Sequence, residues 1–140
     1  MDKATDKLAH EIKSARNIDN YIEANINSLK ETHFVDFLSK LLSDKKIKRA
    51  DLILKSNLSK QYVYELFSAK QIKPSKDTVI KLCFGLCLSL EQANRLLQMA
   101  GYSHLYPKVK RDSIIMYCII NNMNIIEANL ILEKKGVEVL

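Results

Sequence analysis

Apolar side chains recur every three or four positions along most of the chain, which is the spacing of one face of an α-helix. The stretch around Phe34, Leu38 and Leu42 shows this spacing most clearly, and residues 1–32 carry two similar stripes. The chain holds only three glycines and two prolines, and no alternating run of Val, Ile or Thr is followed by hairpin-turn residues. The pattern therefore predicts an all-α fold.

Residues 47–75 contain two short apolar stripes separated by a polar corner. The first helix of this stretch is predicted to turn Ala50, Ile53 and Leu54 inward. Asn57 is expected in the left-handed region of the backbone, which Asn tolerates better than most non-glycine residues. Such a residue can make a sharp corner, so a second helix is expected directly after it.

This second short helix has one apolar and one polar face. Ser59 is its predicted N-cap, because the hydroxyl can accept a hydrogen bond from a free amide of the first turn. Val63, Leu66 and Phe67 are predicted to pack inward. At about 100° per residue, the opposite face carries Gln61, Tyr64, Glu65 and Ser68. A solvated helix of a bundle would show the same spacing, so the pattern alone leaves the role of this face open.

The same stretch resembles the helix-turn-helix of the Cro/repressor-type family, also described as XRE-like or lambda-repressor-like. The resemblance runs through Ile47, Leu52, Leu58, Ser59, Val63, Leu66 and Pro74-Ser75, and continues into the predicted helix of residues 75–90. The sequence departs from the family at Arg49, Ile53, Asn57 and Ala69, where the family usually has Gln, Ala, Gly and Gly. The resemblance implies a lambda-repressor-like core over residues 33–90. The apolar stripes outside the core predict an N-terminal helical arm over residues 1–32 and C-terminal helical hairpins over residues 91–140.

By the same resemblance, the second helix enters the major groove of double-stranded DNA. The resemblance places Lys60, Gln61 and Glu65 at base-facing positions of this helix. The phosphate-facing or flanking positions, in and around the helix, are Arg49, Tyr62, Tyr64, Ser68, Lys70 and Lys73. Lys can donate to guanine, Gln can pair with adenine, and Glu can accept from cytosine N4. The carboxylate of Glu65 opposes binding unless a cytosine lies opposite it, because it is placed among phosphates.

The charge of the chain is concentrated in the same region. The formal net charge is +6, and residues 33–75 carry nine basic and four acidic side chains. Residues 76–110 carry five and two, whereas residues 1–32 and 111–140 each have a net charge of −1. A positive segment beside a reading helix is the electrostatic footprint of DNA binding. A lysine-rich solvated surface is the alternative explanation.

The last part of the chain contains two predicted hairpins that align with each other. At a shift of 35 residues, Lys76–Tyr102 aligns without a gap on Arg111–Val137, with seven identical positions. Matching capping boxes are predicted at Ser89 with Gln92 and at Asn124 with Glu127, matching left-handed helix ends at Gly101 and Gly136, and a helix cap at Asp112. Chance similarity between two amphipathic hairpins is the alternative to an internal repeat.

The sequence shows no catalytic or cofactor-binding motif. Three Cys and three His lack the paired spacing of a zinc site, and Cys83, Cys87 and Cys118 are predicted to be free thiols packed in apolar runs. No glycine-rich phosphate loop is present. We therefore expect no metal, no cofactor and no enzymatic activity.

Two function classes follow from these observations. The first is a sequence-specific DNA-binding transcriptional regulator, expected to be a homodimer because one short reading helix contacts too few bases. The second is a protein-interaction adaptor that uses the C-terminal hairpins. The chain has no apolar run long enough to span a membrane and no apolar signal region at residues 1–13, so the expected location is the cytoplasm.

Overall fold

The computed structural model describes residues 32–68 and 72–140, with side chains from Phe34 onward, and these residues form seven α-helices and no strand. The helices are α1 (Thr32–Asp44), α2 (Arg49–Ser56), α3 (Lys60–Phe67), α4 (Lys76–Gly85), α5 (Leu90–Met99), α6 (Lys110–Ile120) and α7 (Ile125–Lys134). The prediction of an all-α fold is confirmed for this part of the chain. None of these helices is long and apolar enough to cross a membrane.

Helices α2 and α3 are joined by the three residues Asn57, Leu58 and Ser59. Asn57 has φ 60° and lies in the left-handed region, as expected. The Oγ of Ser59 accepts a 3.1 Å hydrogen bond from the amide of Tyr62, so the predicted N-cap is also confirmed. Because both interactions are local, the short sequence of the turn is enough to specify the corner.

The predicted inward face of α2 is wrong in part. Ala50 is exposed and Leu54 is 80% exposed, whereas Leu52 and Ser56 are fully buried and Ile53 is half-buried. The buried face is therefore rotated from the predicted one by roughly one residue, about 100°. The cause lies in another helix, because α2 packs closely on α4.

Gly85, the last residue of α4, permits this close packing. A Cβ atom at Gly85 would lie 2.7 Å from Leu52 Cδ1 and 2.9 Å from Ser56 Cβ. These distances leave no room for a side chain, so only glycine allows α2 to rest on α4 with this face inward. The hydroxyl of Ser56 is satisfied locally, since its Oγ accepts from the amide of Leu58 and lies 3.4 Å from the carbonyl of Ile53.

Helices α4 and α5 form one hairpin, and α6 and α7 form a second with the same local geometry. Both predicted capping boxes are present, at Ser89 and at Asn124. Positive φ angles occur at Cys87 (52°) and Asn122 (54°), and again at Gly101 and Gly136, each pair 35 residues apart. Helix α4 packs on α7 and α5 packs on α6, so the two hairpins exchange equivalent contacts.

The correspondence between the hairpins continues beyond the aligned sequence. The side-chain oxygen of Asn94 accepts from the amide of Leu105 at 3.0 Å, and the side-chain oxygen of Asn129 accepts from the amide of Leu140 at 2.7 Å. Leu105 and Leu140 are both buried. Each hairpin thus holds the segment that follows it by the same asparagine-to-backbone bond, again at an offset of 35 residues.

One ion pair links the two hairpins. Arg111 Nη1 donates to Asp77 Oδ1 at 2.8 Å and Arg111 Nη2 donates to Asp77 Oδ2 at 3.0 Å. The same guanidinium donates to the carbonyls of Glu138 and Val139. Hydrogen bonding to Asp77 raises the pKa of Arg111. Both ends of the second hairpin are therefore fixed to the start of the first.

The predicted cap at Asp112 is wrong. Helix α6 begins at Lys110 after Val109, which makes no side-chain cap, and Asp112 lies inside the first turn. Its Oδ2 accepts a 3.0 Å hydrogen bond from the amide of Tyr106 instead. The Asp112 carboxylate therefore accepts from an amide of the preceding loop and does not cap α6.

Candidate nucleic-acid interface

The outward face of α3 carries the three residues predicted to meet bases. Lys60 and Gln61 are exposed and Glu65 is half-buried, while Val63 and Leu66 on the other side of the helix are in the core. Gln61 Nε2 donates to Glu65 Oε1 at 3.2 Å, one helical turn away. The Gln61 amide and the Glu65 carboxylate therefore form one polar unit.

An arginine from α2 packs across the end of this face. The guanidinium carbon of Arg49 lies 4.6 Å from the ring centroid of Phe67 and 5.8 Å from that of Tyr64. The Nζ atom of Lys60 lies 5.8 Å from the ring centroid of the same tyrosine, Tyr64. Cations at these distances are attracted to the ring faces. The stack holds Arg49 beside α3 while its nitrogen donors remain exposed.

The start of α2 forms an open, positively charged groove. It has a volume of about 470 Å³ and is lined by Ser39, Leu42, Ser43, Lys46, Ile47, Lys48, Arg49 and Phe67. Lys48, the N-cap residue, makes no side-chain cap, so the first amides of α2 keep free hydrogen-bonding capacity. Free amides and the positive end of a helix dipole favour anions, although Asp51 in the first turn opposes this effect.

The segment before α4 is anchored to the first hairpin. Tyr102 Oη donates a 2.6 Å hydrogen bond to the carbonyl of Pro74, and Ser75 Oγ accepts from the amide of Thr78 as the N-cap of α4. Lys73 is exposed, with its Nζ 5.9 Å from the Tyr102 ring. Lys73 thus directly precedes a residue whose backbone is anchored to the first hairpin.

The remaining predicted flanking residues have more local roles. Tyr62 is half-buried, and its amide donates to Ser59. Burial raises the pKa of the Tyr62 hydroxyl above its ordinary value, and a hydrogen bond with Thr78 offsets only part of this rise. Ser68 Oγ donates to the carbonyl of Glu65 at 2.7 Å. Lys70 lies outside the described residues.

The cations on this side have few acidic neighbours. The only salt bridge among the described residues is Arg111–Asp77, in the hairpins. Lys46, Lys48, Arg49 and Lys60 therefore have no carboxylate within 4 Å in this part of the chain, and their charge is available to an external anion.

Sequence patterns missed the contact between Arg49 and Phe67. These residues are 18 positions apart and meet only because α2 and α3 cross at the turn. Phe67 was predicted to pack inward, and it is half-buried with a face open to the arginine. A basic residue at the start of one helix and an aromatic residue at the end of the next is a weak signal on its own.

The cysteines are not part of this interface. Cys83 and Cys118 are buried as predicted, but Cys87 is exposed, because it forms the left-handed corner between α4 and α5. Burial raises the pKa of Cys83 to about 12, and burial followed by the charge of Glu127 raises that of Cys118. Two of the three thiols are therefore held in their protonated, unreactive form.

The described surface around α3 offers cations, amide donors and aromatic rings that lie against the cations. Comparison with protein-family models, with curated proteins and with solved structures finds no match for this chain. The functional assignment therefore depends on the geometry of these residues.

Proposed function

We propose that this protein is a sequence-specific DNA-binding transcriptional regulator with a Cro/repressor-type, lambda-repressor-like helix-turn-helix formed by α2 and α3. The main support is the arrangement of α3, which packs Val63 and Leu66 inward and exposes Lys60 and Gln61 beside the cations of α2. A helix of this width fits the major groove, where side-chain donors can distinguish all four base pairs.

In this proposal Gln61 reads adenine and Glu65 orients it. The Nε2 of Gln61 has two hydrogens, and one is donated to Glu65. The second can be donated to adenine N7 while Oε1 accepts from adenine N6, which is the bidentate pairing typical of Gln. Glu65 then acts without contacting a base, and its charge is partly offset by this hydrogen bond. Lys60, at the start of α3, donates to guanine acceptors.

In this proposal the phosphate contacts come from residues that precede and follow α3 in the sequence. Arg49 and Lys48 lie at the start of α2, and Lys73 lies in the segment before α4. Phosphate contacts set the position of a protein on the duplex and carry no sequence information directly. Each one adds roughly one unit to the slope of log affinity against log salt.

Selection of bound sites from a random DNA library tests this proposal. We expect an enriched motif, and we expect Gln61→Ala to relax preference at one position at a cost of about 1–3 kcal/mol. Lys73→Ala should weaken binding to all sequences equally and reduce the salt slope by about one. Lys40→Ala is the charge-matched control, because Lys40 lies in a groove with Asp44 and Glu91. Uniform loss for both Gln61→Ala and Lys73→Ala would show that α3 does not read bases.

A protein-interaction adaptor is the second candidate. It is favoured by exposed apolar residues on the second hairpin, such as Ile126 and Leu130. The salt dependence separates the two functions. A regulator with several phosphate contacts loses affinity steeply as salt rises, whereas an adaptor gives no enriched motif and little DNA affinity to lose.

A further inference from the structure

Four apolar side chains of the second hairpin are exposed. They are Tyr117 and Ile120 on α6 and Ile126 and Leu130 on α7, and their exposed fractions are 55%, 60%, 70% and 63%. At about 100° per residue, each lies opposite the residues of its helix that enter the core. We refer to these four residues as the distal face. Isolated exposed apolar residues are common, but four on one hairpin, each on the outer side of its helix, need a physical explanation.

In the first hairpin, the positions equivalent to the exposed residues of α6 are covered by other parts of the chain. At an offset of 35 residues, Tyr117 and Ile120 correspond to Leu82 and Gly85 of α4. Leu82 is fully buried, and Gly85 is in contact with α2. The corresponding side of the first hairpin is therefore a helix-docking surface.

The equivalent positions of α7 lead to the same conclusion. Ile126 and Leu130 correspond to Glu91 and Arg95 of α5, which line a groove with residues of α1. The guanidinium of Arg95 lies 5.5 Å from the ring of Phe37. A polar pair meets the neighbouring helix in the first hairpin, and two apolar residues replace that pair in the second. Within the described residues no helix covers the distal face.

The charges beside the distal face favour a second copy of this chain as the partner. Residues 111–140 have a net charge of −1, so two copies can approach through this face without the repulsion expected between the basic segments. On α7, the acidic Glu127 lies near the start of the helix and the basic Lys134 at its end, with Leu130 between them. Reversing the direction of one α7 against another brings opposite charges together.

We propose that the distal face binds the distal face of a second copy, with the two α7 helices antiparallel about a two-fold axis near Leu130 and Ile131. In this arrangement Glu127 faces the partner's Lys134, and each pair occurs twice. Glu127 Oε1 accepts from the amide of Asn124 in the capping box, so its second oxygen is available to the partner. The two helix dipoles also oppose each other favourably.

We expect the distal face to support a weak to moderate dimer. A contiguous exposed apolar patch of roughly 300–600 Å² is often functional, and the half-buried Met116 and Ile131 adjoin Tyr117 and Leu130 in the sequence. Two such patches together approach the roughly 1,000 Å² expected of a specific interface. This proposal goes beyond DNA binding and does not depend on it, because it concerns the protein alone.

Sedimentation velocity of the full chain over about 1–100 µM, without DNA, is the first test. We expect a reversible monomer–dimer equilibrium, and we expect Leu130→Glu to raise the dissociation constant by at least about 30-fold. Leu54→Glu is the matched control, since Leu54 is an even more exposed leucine on α2, and it should leave the equilibrium unchanged. A chain that is monomeric at every concentration, whatever covers the distal face, would overturn the proposal. Equal effects of the two substitutions would do the same.

A charge-compensation experiment tests the antiparallel arrangement. Lys134→Glu places two carboxylates opposite each other at each pair and should weaken the dimer by about tenfold. Adding Glu127→Gln should restore most of the affinity, because Gln removes the repulsion while still serving a capping box. Circular dichroism checks that each variant remains helical. If the double variant dissociates as readily as Lys134→Glu alone, the two α7 helices do not pair in this way.

Discussion

Substitution of Gly85 by alanine gives a direct test of how α2 is held on α4. The new Cβ would lie 2.7 Å from Leu52 Cδ1, 2.9 Å from Ser56 Cβ and 3.3 Å from the Leu52 carbonyl oxygen. Both residues are fully buried, and although Leu52 Cδ1 ends a flexible side chain, Ser56 Cβ is bonded directly to the backbone of α2. The methyl group must therefore push α2 away from α4.

Two opposing effects set the size of the change. Overpacking of a core costs about 1–3 kcal/mol, whereas replacing Gly by Ala within a helix gains up to about 1 kcal/mol from propensity. Because the two closest contacts are below 3 Å, we expect overpacking to dominate. The expected result is a loss of about 1–2 kcal/mol in the free energy of unfolding. For a chain of this length, that lowers Tm by about 4 °C for each kcal/mol.

Urea denaturation followed by circular dichroism measures this loss, and a double-mutant cycle identifies its cause. Leu52→Ala alone should cost about 2–5 kcal/mol. Combined with Gly85→Ala it should cost at least about 0.5 kcal/mol less than the sum, because the two residues share the contact. Gly136→Ala is the control, since no atom lies within 4 Å of its Cβ position and its φ of 74° makes the cost a backbone effect. Its effect should add to that of Leu52→Ala. A Gly85→Ala variant as stable as the unmodified chain would refute this account of the packing.

Two further predictions concern thiols and helix caps. In the native chain a thiol reagent should modify Cys87 rapidly, and Cys83 and Cys118 only after unfolding. The pKa of Cys83 is about 12 in the fold against an ordinary value of 9.0, so the unfolded chain releases this proton first, and stability should fall as pH rises from about 9 to 12. Cys83→Ala should cost about 1 kcal/mol at neutral pH, and denaturation measurements should show a smaller loss of stability at alkaline pH. If that alkaline loss is unchanged in the variant, its cause is the titration of other groups. Ser89→Ala and Asn124→Ala each remove one cap of a capping box and should each cost about 1 kcal/mol, and unequal losses in thermal unfolding would mean that the two hairpins are not equivalent in stability.

Local rules predicted most of the turn and cap residues correctly. Asn57, Ser59, Ser89 and Asn124 act on backbone groups within four positions of themselves, so their roles depend little on the rest of the chain. The face of α3 follows for the same reason, since its inward residues Val63 and Leu66 are unambiguous. The residues proposed to read DNA could therefore be selected from the sequence, although their function remains a proposal.

Local rules failed where two parts of the chain compete for one group. Asp112 had the sequence position of a helix cap, but the amide of Tyr106 occupies its carboxylate. Cys87 lies in an apolar run, yet its left-handed backbone turns its side chain toward solvent. In both cases the competing requirement comes from the geometry of a loop, which the periodicity of apolar residues does not describe.

The sequence by itself determined that this chain is helical over its described residues, where its turns lie, and which side of α3 is polar. The tertiary structure alone decided which side of α2 is buried, because an eight-residue helix has only two turns and its apolar residues are compatible with more than one orientation. Contact with Gly85 selects the face of Leu52 and Ser56. The tertiary structure also brought Arg49 to Phe67 and Arg111 to Asp77, and it left the distal face exposed. Contacts between residues distant in sequence depend on how whole helices pack, and helical periodicity contains no information about that packing.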